Sequence, residues 1–201
     1  MSKKKKEIGA SERREAEIRA CTVGKTEVLG GPIVLAEYDP EWRSLFEQEA
    51  ERIRSVLGSR ALRVEHVGST AVPGLAAKPI IDMALEVENS AAEETYVRAL
   101  EAVGYVLRIR EPEWNEHRMF KGPDTNINLH VFSRGCAEVE RMILFRDWLR
   151  TNKADRELYG RAKRELAKKE WKYVQNYADA KTEVVEEIVK RATAFGTTDK
   201  H

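Results

Sequence analysis

The sequence predicts an α/β protein of the α+β type, in which helices flank a mixed β-sheet and a helical region follows it. Three observations support this fold class. Strand and helix patterns alternate over residues 32–103, three strand patterns follow one another over residues 105–133, and long helical spacings fill residues 138–195. A strict alternation of strands and helices would predict a doubly wound parallel sheet, whereas this order predicts a mixed one.

Local patterns place the individual elements of the predicted core. Alternating β-branched and apolar residues between turn signals predict strands, and apolar residues three or four positions apart predict helices. Asp39 and Pro40 are typical of a helix start, and Gly58 of a helix end. The elements follow in the order strand 32–38, helix 40–57, strands 61–68 and 79–87, helix 91–103, and strands 105–111, 118–123 and 127–133.

The region after residue 137 predicts helices that pack on the core. Three sets of apolar residues there each fall on one helical face. The sets are Val139, Met142, Ile143, Phe145 and Leu149; Leu158, Ala162 and Leu166; and Tyr173, Tyr177, Val184, Val185 and Ile188. We therefore expect an α/β core over residues 31–137 and a helical region over residues 138–195.

The two ends of the chain are expected to be flexible tails. Residues 1–30 are dense in charge and hold few apolar anchors, and residues 196–201 lack them as well. Four lysines stand together at residues 3–6, but so short a run is more typical of a solvated tail than of a nucleic-acid-binding segment.

Charge and cysteine content limit the possible classes of protein. The 35 lysine and arginine residues nearly balance the 34 acidic residues, so no overall field attracts nucleic acid or an anionic membrane. The two cysteines, Cys21 and Cys136, fit neither a metal-binding spacing nor a disulfide scaffold. No segment approaches the roughly 20 apolar residues of a membrane span, and the basic start lacks the apolar stretch of a secretory signal. We therefore expect a cytoplasmic protein.

Residues 66–82, HVGSTAVPGLAAKPIID, place several polar side chains among small and apolar residues. Gly68 and Ser69 form a turn after a strand, where backbone N–H groups and the hydroxyls of Ser69 and Thr70 can bind phosphate. Lys78 can neutralise a phosphate as a point charge. A Gly–Ser turn is as often only a turn, and Lys78 before a proline can simply be solvated, so both interpretations stay open.

Asp82 lies within an apolar strand, where a buried carboxylate requires a metal ion, a cation or a cluster of donors as its partner. Strand alternation puts Asp82 and Ala84 on one face, and His130 on one face of a later strand. If these strands are neighbours, Asp82 and His130 can bind one ligand or metal ion. His66 is a further candidate metal ligand, and a core histidine with one backbone bond is the alternative.

Six blocks of the sequence resemble, in the same order, those of the GrpB family, which is assigned to the nucleotidyltransferase superfamily. They are YDPEW at 38–42, HVGSTAVPGLAAKPIID at 66–82, GY at 104–105, NLHVF at 128–132, FRDWLR at 145–150 and YADAKTEVVEEI at 177–188. The resemblance covers residues 33–195. It implies a nucleotidyltransferase-like mixed sheet flanked by helices, with a helical C-terminal region.

The resemblance also implies a site. In that superfamily a Gly–Ser turn precedes a strand with two acids one residue apart, and a neighbouring strand supplies a third acid. These groups hold divalent metal and a nucleoside triphosphate while an acceptor attacks the α-phosphate. Gly68 and Ser69 match the turn and Asp82 the first acid, but Ala84 stands at the second acid and His130 in place of the third. One divalent ion, Mg²⁺ or alternatively Mn²⁺ or Zn²⁺, is therefore expected more than a pair.

The leading hypothesis is a transferase that moves a nucleotidyl group from a nucleoside triphosphate to an unknown small-molecule or protein acceptor. Asp82 and His130 would be its catalytic residues, and Lys78, Arg118 and Lys121 would contact phosphates. Alternation puts Arg118 and Lys121 on opposite strand faces, so they cannot both enter one site.

Three residues of the helical region are candidates for the acceptor side of the site, namely Tyr159, Lys163 and Lys181. The alternative is an amphipathic face with solvated cations. Two other functions stay open. Ala84 favours a binding module without turnover, and His130 would also serve hydrolysis or phosphotransfer on a phosphorylated metabolite.

Overall fold

The structure is a computed structural model that describes residues 9–29 and 31–198. The predicted flexibility of residues 1–8, 30 and 199–201 lies outside the described residues, whereas residues 196–198, also predicted to be flexible, are helical. The helices and strands, in chain order, are α1 (Ala10–Cys21), α2 (Glu41–Leu57), β1 (Arg63–Val67), β2 (Ile81–Val87), α3 (Val97–Glu101), β3 (Val106–Glu111), β4 (His117–Lys121), β5 (Ile127–Ser133), α4 (Ala137–Thr151), α5 (Lys153–Ala167), α6 (Val174–Asp179) and α7 (Thr182–Thr198).

The strands form one mixed sheet with the order β1-β2-β5-β4-β3. β2 and β5 are parallel neighbours, and the other adjacent strands are antiparallel. Asp82 lies opposite Asn128, and Ala84 opposite His130. The prediction of a mixed sheet flanked by helices, with a helical C-terminal region, is confirmed. The polar faces of β2 and β5, which were predicted from strand alternation, are therefore neighbours in the sheet.

One face of the sheet packs against α2 and α3. The apolar half of each strand supplies this core, and its fully buried residues include Met83, Leu85, Leu129 and Val131. Burying each such side chain stabilises the fold by roughly 1.5–3 kcal/mol. The predicted end of α2 is confirmed, since the helix stops at Gly58, where φ is 58°. It begins at Glu41, one residue after the predicted Pro40, and the Asp39 carboxylate accepts a hydrogen bond from the Glu41 N–H at 2.9 Å.

The other face of the sheet carries the C-terminal helices. Val67, Ala84 and Phe132 pack there against Val139 of α4. Behind them, α4, α5 and α7 contact one another and enclose a second apolar cluster. The third predicted helical face is split between α6 and α7, which are separated at residues 180–181. No helix within residues 9–29 and 31–198 is long and apolar enough to cross a membrane.

The strand predicted at residues 32–38 does not form. Only one pair, Ala36 and Ala77, exchanges backbone hydrogen bonds there, at 2.8 and 2.9 Å. The next donor toward residue 34 would be Pro79, which has no N–H, and on the other side the Leu75 N–H donates to the Val72 carbonyl at 3.2 Å, so the ladder does not continue.

The N-terminal segment is ordered where the sequence predicted a flexible tail. Residues 10–21 form α1, and Arg14 binds the Asp179 carboxylate through two hydrogen bonds of 2.8 and 3.0 Å. The segment after α1 is bonded to the sheet, since the Val23 N–H donates to the Arg108 carbonyl at 2.8 Å. The predicted helix at 91–103 is also shorter, with a 3₁₀ turn at Glu93–Thr95 before α3.

Candidate functional site

A cavity of about 970 Å³ lies between the sheet face opposite α2 and the helices α1 and α4–α7. Ligand sites in proteins typically have volumes of about 300–1,000 Å³, so this cavity is large enough for a nucleotide-sized molecule. Strands β2, β4 and β5 contribute Asp82, Lys121, Asn128 and His130 to its wall. The cavity thus contains both of the predicted catalytic residues.

The Gly68–Ser69 turn lies at the edge of this cavity, directly against Asp82. Gly68 has a φ of 72°, and a Cβ there would come within 2.6 Å of Asp82 Oδ2. Glycine is therefore required for the turn to approach Asp82 so closely. Ser69 and Tyr159 both border the cavity, and burial raises the pKa of Tyr159 to about 12.

Thr70 has a structural role in the turn. Its hydroxyl donates to the Ile80 carbonyl at 3.1 Å, and its oxygen therefore accepts from His66 Nε2, also at 3.1 Å. Although Thr70 borders the cavity, both of these bonds join parts of the protein to one another.

Asp82 is held by a chain of two hydrogen bonds. The Asn128 Nδ2–H donates to Asp82 Oδ1 at 2.7 Å, and Lys121 Nζ donates to Asn128 Oδ1 at 2.6 Å. Burial raises the pKa of Asp82, but His130, Asn128 and Lys181 together outweigh it and hold the pKa below its usual value. Asp82 is one-third exposed, and because it borders the cavity, a ligand can reach an ionised carboxylate there.

His130 belongs to a relay of side chains that reaches Glu111. His130 Nε2 is 3.9 Å from Asp82 Oδ1, and His130 Nδ1 is 2.9 Å from His117 Nε2. His117 Nδ1 is 2.7 Å from a Glu111 carboxylate oxygen. Burial lowers the pKa of His117 to about 4, although Glu111 raises it, so His117 is neutral at neutral pH.

The proton positions in this relay follow from its ends. Glu111 can only accept when ionised, so the His117 Nδ1–H donates to it and His117 Nε2 accepts from the His130 Nδ1–H. With Nδ1 as the donor to His117, the other ring nitrogen of His130, Nε2, faces Asp82 and the cavity, where a general base would be placed. Sequence reasoning missed His117 and Glu111. The sequence did contain one indication of His117. It lies two residues before Met119, on the same face of β4 as Lys121.

Four lysines reach the same cavity, namely Lys78, Lys121, Lys163 and Lys181. The Nζ atoms of Lys78 and Lys181 lie 5.6 and 4.7 Å from the centre of the Tyr177 ring. Lys163 Nζ donates to the Ala76 carbonyl and lies 4.9 Å from the centre of the Tyr159 ring. The predicted phosphate-side and acceptor-side lysines are therefore brought together in one space.

Burial lowers the pKa of each of these lysines. The pKa of Lys78 falls to about 8, with nearby Lys181 adding to the effect of burial, and that of Lys163 falls to about 7 for the same two reasons. Burial also lowers the pKa values of Lys121 and Lys181, against the attraction of Asp82.

Two predicted site residues do not reach the cavity. Arg118 is on the opposite face of β4, where its Nε donates to Glu93 at 2.6 Å. His66 pairs with Met83 across β1 and β2 and so also faces away from Asp82. Its ring stacks on Phe46 with 4.8 Å between centres, and burial lowers its pKa to about 4. Both positions follow from strand alternation.

Comparison with known proteins agrees with the sequence blocks. The family model described as GrpB protein matches residues 32–191. The chain belongs to the GrpB family. A UPF0157 protein of Halalkalibacterium halodurans is 62% identical over 182 residues, which cover 90% of this chain and 93% of that protein.

Two further similar proteins differ in how much of their length is matched. The crystal structure of conserved protein GrpB from Enterococcus faecalis has a TM-score of 0.70 and 32% identity, covering 79% of this chain and 96% of that one. A dephospho-CoA kinase of Mycolicibacterium paratuberculosis is 30% identical over 156 residues, covering 65% of this chain and only 38% of that protein. This chain is therefore similar to the full length of the Enterococcus protein and to a part of the kinase.

The residues of this GrpB-family protein do not form a site that could hold the expected divalent metal by protein ligands alone. Within residues 9–29 and 31–198, no three His, Cys, Asp or Glu side chains are grouped closely enough to hold an ion. Ala84 supplies no carboxylate beside Asp82, and His66 lies across the sheet. The lysines around Asp82 add repulsion for a cation.

Proposed function

We propose that the protein binds a nucleoside triphosphate in this cavity and transfers its nucleotidyl group to a hydroxyl of a small-molecule or protein acceptor. One observation carries the proposal. The parallel register of β2 and β5 places Asp82 and His130 on one cavity wall, beside the Ser69 turn and in the same cavity as four lysines. A carboxylate, an imidazole nitrogen and several lysines are together suited to phosphoryl chemistry.

The side chains suggest how the transfer proceeds. The acceptor hydroxyl loses its proton to His130 Nε2 while its oxygen forms a bond to the α-phosphorus. The bond from that phosphorus to the bridging oxygen breaks, and pyrophosphate leaves with the electron pair. Asp82, 3.9 Å from Nε2, stabilises the imidazolium that forms. Lysine ammonium groups stabilise the charge that develops on the phosphates.

A second candidate function is nucleotide binding without turnover. Ala84 favours it, because position 84, two residues after Asp82 on the same strand face, holds no second acid. In this case Asp82 and the lysines select and hold the ligand, and His130 takes up no proton from an acceptor.

Calorimetric titration with ATP, GTP, CTP and UTP tests binding. Incubation with the bound nucleotide, labelled at its α-phosphate, and a cell extract then tests transfer. We expect one nucleotide to bind and the label to become attached to an acceptor. His130→Gln should bind that nucleotide and fail to transfer it, whereas Lys153→Gln, at an exposed lysine of α5, should do both. Binding without any transfer supports the second function, and absence of binding by the wild type overturns both.

A further inference from the structure

The charged side chains that line the cavity do not balance one another. The cations are Lys78, Arg108, Lys121, Arg141, Lys163 and Lys181, and the carboxylates are Glu27, Asp82, Glu138 and Asp179. Three of these carboxylates are already in ion pairs, Glu27 with Arg108 at 2.9 Å, Glu138 with Arg141 at 2.9 Å and Asp179 with Arg14 at 2.8 Å. When these ion pairs are set aside, the described lining residues still include four lysines and only one carboxylate, that of Asp82.

That one carboxylate, Asp82, already accepts a hydrogen bond from the protein. Lysine nitrogen only donates and carboxylate oxygen only accepts, so the Asn128 amide must turn its oxygen to Lys121 and its NH₂ to Asp82. An NH₂ group is not a metal ligand, and Asn128 therefore cannot join Asp82 in holding a cation. Oδ2 of Asp82 is covered on one side by Gly68.

Two of the lysines have no such partner. Within the described part of the chain, the ammonium groups of Lys78 and Lys181 make no hydrogen bond and no ion pair, and each lies near the ring of Tyr177. Two partly desolvated ammonium groups close together are unfavourable unless an anion lies between or beside them. Lys121 approaches the same space from β4 through its bond to Asn128.

We propose that Lys78, Lys121 and Lys181 bind the polyphosphate of the ligand directly, in the role that divalent metal ions fill in the superfamily that this chain resembles. The inference rests on the proposed function for the nucleotide part of the ligand. Lysine suits this role because its ammonium group is a compact charge with three donors, and bonds from a cation to phosphate are stronger than neutral ones. Binding of the triphosphate is then independent of metal.

The first test compares binding with and without metal. The wild type is titrated by calorimetry with the nucleoside triphosphates and with inorganic tripolyphosphate, in excess EDTA and in Mg²⁺. We expect affinities in EDTA that equal or exceed those in Mg²⁺, since Mg²⁺ competes for the same phosphate oxygens. Lys78→Gln and Lys181→Gln should each weaken binding about tenfold, as one charge-assisted contact is lost. Lys153→Gln is the matched control and should bind like the wild type.

The outcomes separate this inference from the proposed function. Nucleotide binding that requires Mg²⁺ overturns the lysine site and leaves the transferase proposal standing. Tripolyphosphate binding in EDTA with no nucleotide binding supports the lysine site and overturns the nucleotide. Failure of both ligands to bind in either solution overturns both proposals.

A second measurement needs no variant and so does not depend on a lysine variant folding. The groups that face Lys78 are Lys181 and Lys121, which lower its pKa, Asp82, which raises it, and the Tyr177 ring. A bound polyphosphate raises the pKa of Lys78 from about 8, so at about pH 8 binding should take up protons. Titration in two buffers of different ionisation enthalpy measures this uptake. The same heat in both buffers contradicts direct binding by Lys78.

Discussion

Gly68 determines whether the Ser69 turn can lie against Asp82. Replacement with alanine forces a side chain into a positive φ of 72° and brings its Cβ to 2.6 Å from Asp82 Oδ2. We expect Gly68→Ala to lose about 1–3 kcal/mol of unfolding free energy from the backbone strain, since ψ is −170°, and about 1–3 kcal/mol more from the clash. Urea unfolding followed by circular dichroism measures the loss.

Gly74 provides the matched control for this prediction. It has a φ of 76° in the same connector, but no atom lies within 4 Å of a Cβ built there. Gly74→Ala should therefore show the backbone strain without the clash. Equal losses in the two variants would show that Asp82 moves aside freely, and that Gly68 has no special relation to it.

Strand alternation explains which site residues could be predicted. It put Asp82 and His130 on polar strand faces and separated Arg118 from Lys121, and each of these expectations agrees with the structure. It could not supply Glu111 or His117, because their contacts depend on how β3, β4 and β5 align with one another. That register is set by packing across the whole sheet, and the sequence of a single strand does not determine it.

Among the elements, α1 is held to the rest of the molecule largely by polar contacts. Arg14 and Asp179 are both a little more than one-third exposed, so their paired hydrogen bonds stabilise the docked helix by roughly 1 kcal/mol. We expect Arg14→Glu to increase amide hydrogen exchange over residues 10–29 and to leave exchange in β2 and β5 unchanged. Mass spectrometry of the exchanged protein locates the effect.

Reversal of the second charge tests whether the ion pair itself is responsible. Arg14→Glu combined with Asp179→Arg should restore slow exchange in α1. Arg13→Glu makes the same change of charge at an exposed position of the helix and should have little effect. If Arg13→Glu loosens α1 as much as Arg14→Glu, helix charge and not the pair with Asp179 holds the segment in place.

Elements with a strong local pattern could be predicted, and those fixed by distant contacts could not. The apolar stripe and capping residues of α2 lie within one continuous stretch, so its limits were recovered from the sequence. α1 has no comparable apolar stripe, and its partner Asp179 is 165 residues away. The strand predicted at 32–38 failed for a similar reason, because the proline that ends its pairing belongs to another segment.

For the molecule as a whole, the cavity joins the two regions that the sequence separated at residue 137. Asp82 and His130 come from the sheet, whereas Lys163 and Lys181 come from the helices. The contact between the regions also holds apolar residues, since Val72 and Leu75 pack with Leu149, Tyr159 and Ile188. Arg146 of α4 adds a polar link by donating to Glu65 at 2.6 Å and to the His66 carbonyl at 3.0 Å.

This interface predicts that the core and the helical region unfold together. Its apolar residues lie on both sides of residue 137, and separating the regions would expose Ala84 and Phe132 of the sheet as well as Val139 of α4. Native-state hydrogen exchange in increasing urea measures opening free energies residue by residue. We expect the amides of Leu129 and Ile188 to converge on one free energy, the one obtained from urea unfolding. If Ile188 opens at a clearly lower free energy than Leu129, the helices are a separate unit, and the cavity then opens whenever that unit unfolds.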